Sequence, residues 1–274
     1  MPARLKTVIE PPRGLQLPKP AELWAYRELL WVFMFRDVRV RYKQTVLGGL
    51  WAIIQPFMMM VVFSVIFGKF AKVPSDGFPY PIFLYSALLP WTLFASTLSQ
   101  SSGAIIGAEM LIKKVYFPRL IIPSAAAGSP LVDYLVANVL MVGLAVYYGV
   151  TPSWQIVFIP VLIFFISVAA QGAALALGGM SVSYRDFRHV IPFVVQIWMF
   201  VTPVIYGASL LPEKWRFLLL LNPIAGLVES CRFIWLNQPL DWMGLGLSIL
   251  MSLALWFVGL LIFQGQENKM ADRM

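Results

Sequence analysis

The sequence predicts an all-α membrane protein: six transmembrane helices per subunit, an N-terminal amphipathic interface helix, and a re-entrant helical hairpin between the fifth and sixth spans. Three observations predict it. Hydrophobic residues fill 59% of the 274 positions and charged residues only 12%, about half of the ~25% charge usual in a soluble domain. That excludes an ordinary water-soluble enzyme, and the same composition excludes disorder. Charge-free runs of bilayer length recur along the chain, and Lys and Arg are shared unequally between the segments that join them.

The elements follow in order. Pro2, Pro11, Pro12, Pro18 and Pro20 make the start of the chain an extended arm. From Ala21 to Gln44 apolar residues recur at helical spacing: Leu23, Tyr26, Leu30, Phe33 and Met34. A helix with that stripe is expected to lie along the cytoplasmic interface, so residues 1–44 read as a cytoplasmic arm and interface helix. Residues 45–266 then form the membrane domain and 267–274 a cytoplasmic tail.

A spanning helix needs ~20 mostly apolar residues. The charge-free run from Gln44 to Gly68 meets that length and is expected to span over about 45–68. It starts too late and runs too long to be a cleavable signal peptide. The run from Gly77 to Ala108 holds the second span at 79–103. The stretch from Leu120 to Tyr184 is far too long for one span and is broken only by Asp133. The turn signal Gly149-Val150-Thr151-Pro152-Ser153 divides it into spans at 120–148 and 154–182. The runs His189 to Pro212 and Trp242 to Gln266 supply spans at 189–208 and 242–265.

Two apolar runs are too short to cross: Phe217 to Val228, and Phe233 to Leu240. Asn222-Pro223 breaks the first, because proline lacks an N–H and disfavours helix in the residue before it. The segment 213–238 therefore reads as a re-entrant or interfacial hairpin. Irregular backbone at membrane depth must be buried in protein or face water, which puts this hairpin at a pore mouth.

Six spans place both termini on one side. That side carries 16 of the 21 Lys and Arg, against five on the other. The positive-inside tendency makes it the cytoplasm. The net charge of +8 is thus a topology signal, and no soluble basic domain exists to carry nucleic-acid binding.

What is missing narrows the function. There is no phosphate-binding G-x-x-x-x-G-K-[ST] loop. One Cys, Cys231, and one His, His189, cannot build a metal cluster. No nucleophile elbow and no carboxylate pair is present for acid–base work. Ion-coupled transporters usually carry several ionisable residues in their spans; here only Asp133 sits deep, with a hydrogen-bonded structural role and a functional one both open. His189, beside Arg188 at a cytoplasmic helix end, reads as solvated or capping. Gly172, Ala173, Ala176 and Gly179 in the fourth span, and Gly244 with Gly246 in the sixth, read as helix packing.

Four segments, in order along nearly the whole chain, resemble one family. They are FRDVRVRYKQTVLGGLWAIIQPFMMMVVFSVIFG (Phe35 to Gly68), KKVYFPRLIIP (Lys113 to Pro123), SVSYRDFRHVIPFVVQIWMFVTPVIY (Ser181 to Tyr206) and LNPIAGLVESCRFIWL (Leu221 to Leu236). They are similar to the type-2 ABC exporter permeases of the polysaccharide export family, most of all the Wzm-type O-antigen branch, with capsule and teichoic-acid exporters as close neighbours. The resemblance implies a homodimer, with two copies of a cytoplasmic ABC ATPase bound below that carry ATP and Mg. It implies an undecaprenyl-linked polysaccharide substrate and no chemistry or cofactor in this chain.

Candidate residues follow. Aromatic faces contact the C–H faces of sugars with little demand for sequence. The resemblance favours the first, second and fifth spans for a pore, which makes Trp51, Tyr85, Trp91 and Tyr206 the expected lining. Arg36, Arg39 and Lys43 fall at i, i+3 and i+7 on one helix face just before the first span. With Arg41 they suit either positive-inside anchoring or the pyrophosphate of a lipid-linked substrate. Glu109, Lys113 and Lys114, on a short helix within AEMLIKKVYFPR (Ala108 to Arg119) ended by Phe117-Pro118, are expected to dock the ATPase. Arg185, Asp186 and Arg188 form a second cytoplasmic corner that either joins that contact or pins the fifth span.

Two other classes compete. A secondary transporter or channel would work without an ATPase, and the scarcity of intramembrane charge speaks against ion coupling. A membrane enzyme acting on a polyprenyl-linked sugar would need catalytic carboxylates at one interface, and only the basic collar partly fits.

Overall fold

The computed structural model describes residues 20–43, 47–184 and 186–273. The expected proline-rich arm, apart from Pro20, lies outside them, as does Arg185. Among the described residues the secondary structure is helical throughout. Helices α1 (Pro20–Ala25) and α2 (Arg27–Lys43) come first. A 3-10 turn, Gly48–Leu50, leads into α3 (Trp51–Phe63), which continues as a π-helical stretch over Ser64–Phe70. Then follow α4 (Tyr80–Gly107), α5 (Glu109–Lys114), α6 (Ile121–Ala126) and α7 (Gly128–Tyr148). A second 3-10 turn, Trp154–Phe158, enters α8 (Ile159–Ser183), followed by α9 (Phe187–Val201). The chain ends with α10 (Glu213–Leu220), α11 (Ala225–Trp235) and α12 (Trp242–Arg273).

Five stretches are long and apolar enough to cross a bilayer: Gly48–Phe70, Tyr80–Gly107, Ile121–Tyr148, Trp154–Ser183 and Trp242–Glu267. At ~1.5 Å rise per residue they reach beyond a ~30 Å hydrocarbon core. They overlap the charge-free runs expected to hold the first four spans and the sixth. The fifth differs. The charge-free run predicts it over 189–208, but helix α9 ends at Val201 after 15 residues. Pro203 is the reason. It offers no N–H, and it drives Thr202 out of the helical region, to φ −90° and ψ 138°. Non-helical chain then continues to a short 3-10 turn at Ala208–Leu210. Beyond it, α10 and α11 meet at an angle of 103°, and the break falls at the expected Asn222-Pro223.

Helix α4 forms the centre of the subunit. It packs against α3, α6, α7, α8, α9 and α11, and Phe83, Tyr85, Leu88 and Phe94 along it are fully buried. Helices α8 and α12 meet backbone to backbone. A methyl group at Gly172 would overlap the Trp256 backbone, and one at Gly259 would overlap the Gly172 carbonyl. Glycine is required at both positions because the close approach leaves no room for a Cβ.

The expected apolar stripe of α1 and α2 faces protein. Leu23, Tyr26, Leu30 and Phe33 pack on Ile112, Phe117, Ile121 and Ile122, and Met34 lies against Gly128. The opposite face is also apolar, with Trp24, Trp31, Val32, Phe35 and Val40 exposed. The end of the bundle that carries α2 is called proximal below, and the other distal. Exposed aromatics gather at each: Trp24, Trp31 and Tyr184 proximally, Tyr147, Trp154, Trp215 and Trp242 distally. Such girdles mark membrane–water boundaries.

Candidate functional site

One stripe of a membrane helix is polar and uncovered. In the proximal half of α4, Ser99, Gly103 and Gly107 are exposed, and Thr92 and Ser96 are half-exposed. They recur at intervals of three and four residues, so they share one helix face. The rest of α4 is the most deeply buried span of the subunit. Two helices that pack on α4 also present open faces. On α3 these are Trp51, Gln55, Phe57 and Met58; on α9 they are Phe193, Gln196, Ile197 and Phe200. Two contacts fix the relative depth. Gly68, at the end of the α3 span, abuts the Tyr80 ring at the distal end of α4, and Trp198 of α9 stacks edge-on against Phe94, centroids 4.9 Å apart. Antiparallel packing from those points brings Gln55, Ser96 and Gln196 to similar depth. Lipid tails cannot hydrogen-bond hydroxyls or amides, and leaving such groups in hydrocarbon is costly.

The expected lining residues divide. Tyr85 is 0% exposed and Trp91 3%. The Tyr85 hydroxyl donates to the Ala137 carbonyl of α7 at 3.1 Å, and Trp91 packs on Phe94. Both belong to the core of the subunit and face no open surface, which corrects the expectation for these two. The second span turns these aromatics inward, together with Ser86, Thr97, Ser101 and Ser102, and leaves Ser99 exposed and Thr92 and Ser96 partly so. Trp51 is 51% exposed. Tyr206 is half-buried and donates to the Phe200 carbonyl at 3.0 Å.

Tyr206 ends a non-helical strand of chain held by side chains of other elements. Arg232 of α11, 0% exposed, donates through Nη2 to Pro203 O (2.8 Å) and Val204 O (2.7 Å). Its Nη1 reaches Tyr206 O at 3.2 Å and its Nε reaches Phe83 O at 3.3 Å. The guanidinium lies 4.1 Å from the centroid of the Phe83 ring. The Tyr80 hydroxyl donates to Ile205 O at 2.7 Å, and Ala208 N–H donates to Glu229 at 2.9 Å. Asn222 closes the other side: it accepts from Trp198 Nε1 and donates to Thr202 Oγ1, each at 3.0 Å. The Ser209 hydroxyl donates to Asp76 at 2.7 Å. Nothing in the sequence marks this set, because Arg232 reads there as one more flanking charge.

At the proximal end the four basic residues of α2 are not equivalent. Arg36 pairs with Asp37 at 2.9 Å and stacks on Phe33. Arg41 pairs with Asp133 at 2.7 Å, and the adjacent Tyr42 hydroxyl donates to the same carboxylate. Burial, together with that carboxylate, pushes the Tyr42 hydroxyl above its usual pKa, so it remains a donor. Asp133 is thereby accounted for as a link between α2 and α7. Arg39 and Lys43, one turn apart and exposed, form no ion pair with the described residues.

Helix α5 carries the three expected docking residues, and it ends at Lys114, before Phe117 is reached. Lys113 and Glu109 pair with each other at 2.7 Å, while Lys114 is exposed. Beside them a cavity of about 210 Å³ is lined by Lys113, Lys114, Tyr116, Phe117 and Arg119. Burial and the nearby Glu22 and Glu267 carboxylates raise the Tyr116 pKa. Asp186 and Arg188 lie exposed at the start of α9, away from this cavity's lining.

These features provide surfaces for binding and passage. Comparison with known proteins gives the same sense. A family model described as ABC-2 type transporter matches residues 28–236. The O-antigen export system permease protein RfbA of Myxococcus xanthus is 29% identical, over 92% of this chain and 97% of its own length. A protein of the same name from Klebsiella pneumoniae is 28% identical, over 89% and 94%. The polysialic acid transport protein KpsM of Escherichia coli is 25% identical, over 86% and 92%. The family match runs from α2 to the end of α11 and takes in the open faces of α3, α4 and α9, so this protein belongs to the ABC-2 type transporter family.

Proposed function

We propose that the chain is the permease subunit of an ATP-driven exporter that moves an undecaprenyl-linked polysaccharide of the O-antigen type from cytoplasm to periplasm. It works as a homodimer in the inner membrane, with two copies of a cytoplasmic ABC ATPase that bind and hydrolyse ATP with Mg. The observation that carries this reading is the uncovered stripe Thr92–Ser96–Ser99–Gly103 on α4, a helix packed by α3 and α9, which themselves expose glutamine and aromatic side chains. Two copies facing each other across such surfaces would enclose a wet tunnel, suited to a polymer rich in hydroxyls. Near full-length likeness to O-antigen export permeases supports the substrate class.

The charge asymmetry favours the cytoplasm for the proximal end. Helix α2 is then the interface helix, its outer apolar face in the headgroup region, and α10 with α11 is the re-entrant hairpin at the far mouth. Trp51 and Tyr206 are the aromatic contacts for sugar. Arg39 and Lys43 meet the lipid pyrophosphate, since Arg36 and Arg41 already have carboxylate partners. Glu109, Lys113 and Lys114 touch the ATPase. The ATPase shifts the permease between conformations by binding them unequally.

A second reading, export of a capsule polysaccharide, rests on the likeness to the polysialic acid transport protein. Deletion of the gene, followed by analysis of surface polymers, tests both. Loss of surface O-antigen with lipid-linked polymer retained inside supports the first. Loss of capsule alone supports the second, and unchanged surface polymers overturn both.

A further inference from the structure

The non-helical stretch after α9 poses a physical problem. Five consecutive residues, Thr202 to Tyr206, lie outside any helix, and Thr202 through Ile205 are buried. Their carbonyls have no i+4 N–H to meet, and an unpartnered buried carbonyl is costly. The subunit solves this largely with one side chain. Arg232 supplies three of its hydrogen bonds to Pro203, Val204 and Tyr206, and a fourth to Phe83. No carboxylate lies within ion-pair distance of it among the described residues. A guanidinium is suited to the task, because its planar fork presents several donors at fixed angles and keeps its charge. Three further ties lie alongside: Glu229 of α11 accepts from Ala208 N–H, and Asn222, just before α11, bonds Thr202 and Trp198.

Each of these three ties, like the Arg232 bonds to Pro203, Val204 and Tyr206, links the distal end of α9 to the α10–α11 pair. By contrast, α10 has few neighbours, and Glu213 to Leu218 are all exposed. We infer that Arg232 is a positioning residue that makes the segment Thr202–Ala208 and helix α11 one rigid body, so that the end of the fifth span and α11 move together and carry Tyr206 with them. This rests on the transport reading in one respect only, that the subunit changes shape as it works.

The test staples the two elements covalently. Ala208→Cys and Glu229→Cys are introduced into full-length permease with Cys231→Ser, co-expressed with its ATPase. A short bifunctional thiol reagent then joins them, and polymer export is compared with the same protein left reduced. Unaltered export after stapling supports one body. Export blocked by the staple and restored by reductant shows that the elements must separate, and overturns the inference. In the same background Arg232→Met is expected to lose export, Arg232→Lys to retain part of it, and the staple to restore export to Arg232→Met. Normal export by unstapled Arg232→Met also overturns it. If Arg232→Met does not accumulate in the membrane, the staple with Arg232 in place still decides. Absence of export from the unmodified protein would count against the transport reading instead.

Discussion

Arg41, at the end of α2, donates to one oxygen of the Asp133 carboxylate at 2.7 Å, and its neighbour Tyr42 donates to the other oxygen. Asp133 thereby holds a helix outside the span set to the third span. Alanine at 133 removes the carboxylate that both donors share, and the expected cost is about 1 kcal/mol, reduced by the solvent that reaches Arg41. Asp133→Asn keeps an acceptor for Tyr42 and costs less. Thermal unfolding in detergent should rank the wild type above Asp133→Asn and that above Asp133→Ala. Trypsin cleavage at Arg39 and Lys43 should rise in the reverse order. Equal stability in all three would show that α2 is held by its apolar stripe alone.

The α8–α12 contact makes a sharper demand. Gly172 and Gly259 approach backbone to backbone, whereas a Cβ at Gly246 or Gly265 meets nothing within 4 Å. Gly172→Leu or Gly259→Leu should force the helices apart and lower the yield of folded protein in a monodispersity assay. Gly246→Ala should be neutral or gain up to ~1 kcal/mol, since alanine is the better helix former.

How far the sequence reaches depends on the range of the interaction. The spans, the break at Asn222-Pro223 and the glycine seam of α8 are written locally, in runs, turn residues and small-residue spacing. The early end of α9 is also local, at Thr202-Pro203, but the apolar run to Pro212 conceals it. Tyr85 and Trp91 show the limit. An aromatic in a charge-free run carries no mark of which face it occupies, because apolar residues lie on every side of α4. Small polar residues do not mark the open face alone either, because Thr97, Ser101 and Ser102 in the same run as Ser96 and Ser99 are buried. Arg232 and Asp133 could not be placed, because their partners lie on distant segments of the chain.

The proximal basic residues should separate by function. Of the four expected basic residues of α2, Arg39→Glu with Lys43→Glu removes the two that have no ion pair among the described residues, and surface polymer should fall sharply while ATPase co-purification persists. Arg36→Gln disturbs an exposed pair with Asp37 and a stack on Phe33 and should export at close to the wild-type level, because such exposed contacts contribute little. Equal export by the double reversal and the wild type would reduce these residues to topology signals.

Helix α5 should behave in the opposite way. Lys114→Glu places an acid beside a cavity whose other lining cations are Lys113 and Arg119, and ATPase recovered with tagged permease should drop. The membrane level of the permease should hold, because Lys114 is exposed. Undiminished co-purification would move the docking surface elsewhere, with Asp186 and Arg188 as the next residues to vary.

The stripe on α4 supports a test that needs neither substrate nor ATPase. In a Cys231→Ser background, Ser99→Cys lies on the uncovered polar face, Leu98→Cys is buried in the core, and Val139→Cys lies on an exposed apolar face of α7. A membrane-impermeant maleimide reacts with a thiolate, which forms in water and hardly at all in hydrocarbon or a packed core. Intact membrane vesicles should therefore label Ser99→Cys and leave the other two unreacted. Labelling of Val139→Cys at the same rate would mean that exposure alone sets reactivity. Protection of Ser99→Cys, matching Leu98→Cys, would mean that the stripe is covered by a second copy or by lipid, and two such subunits would then enclose no water along α4.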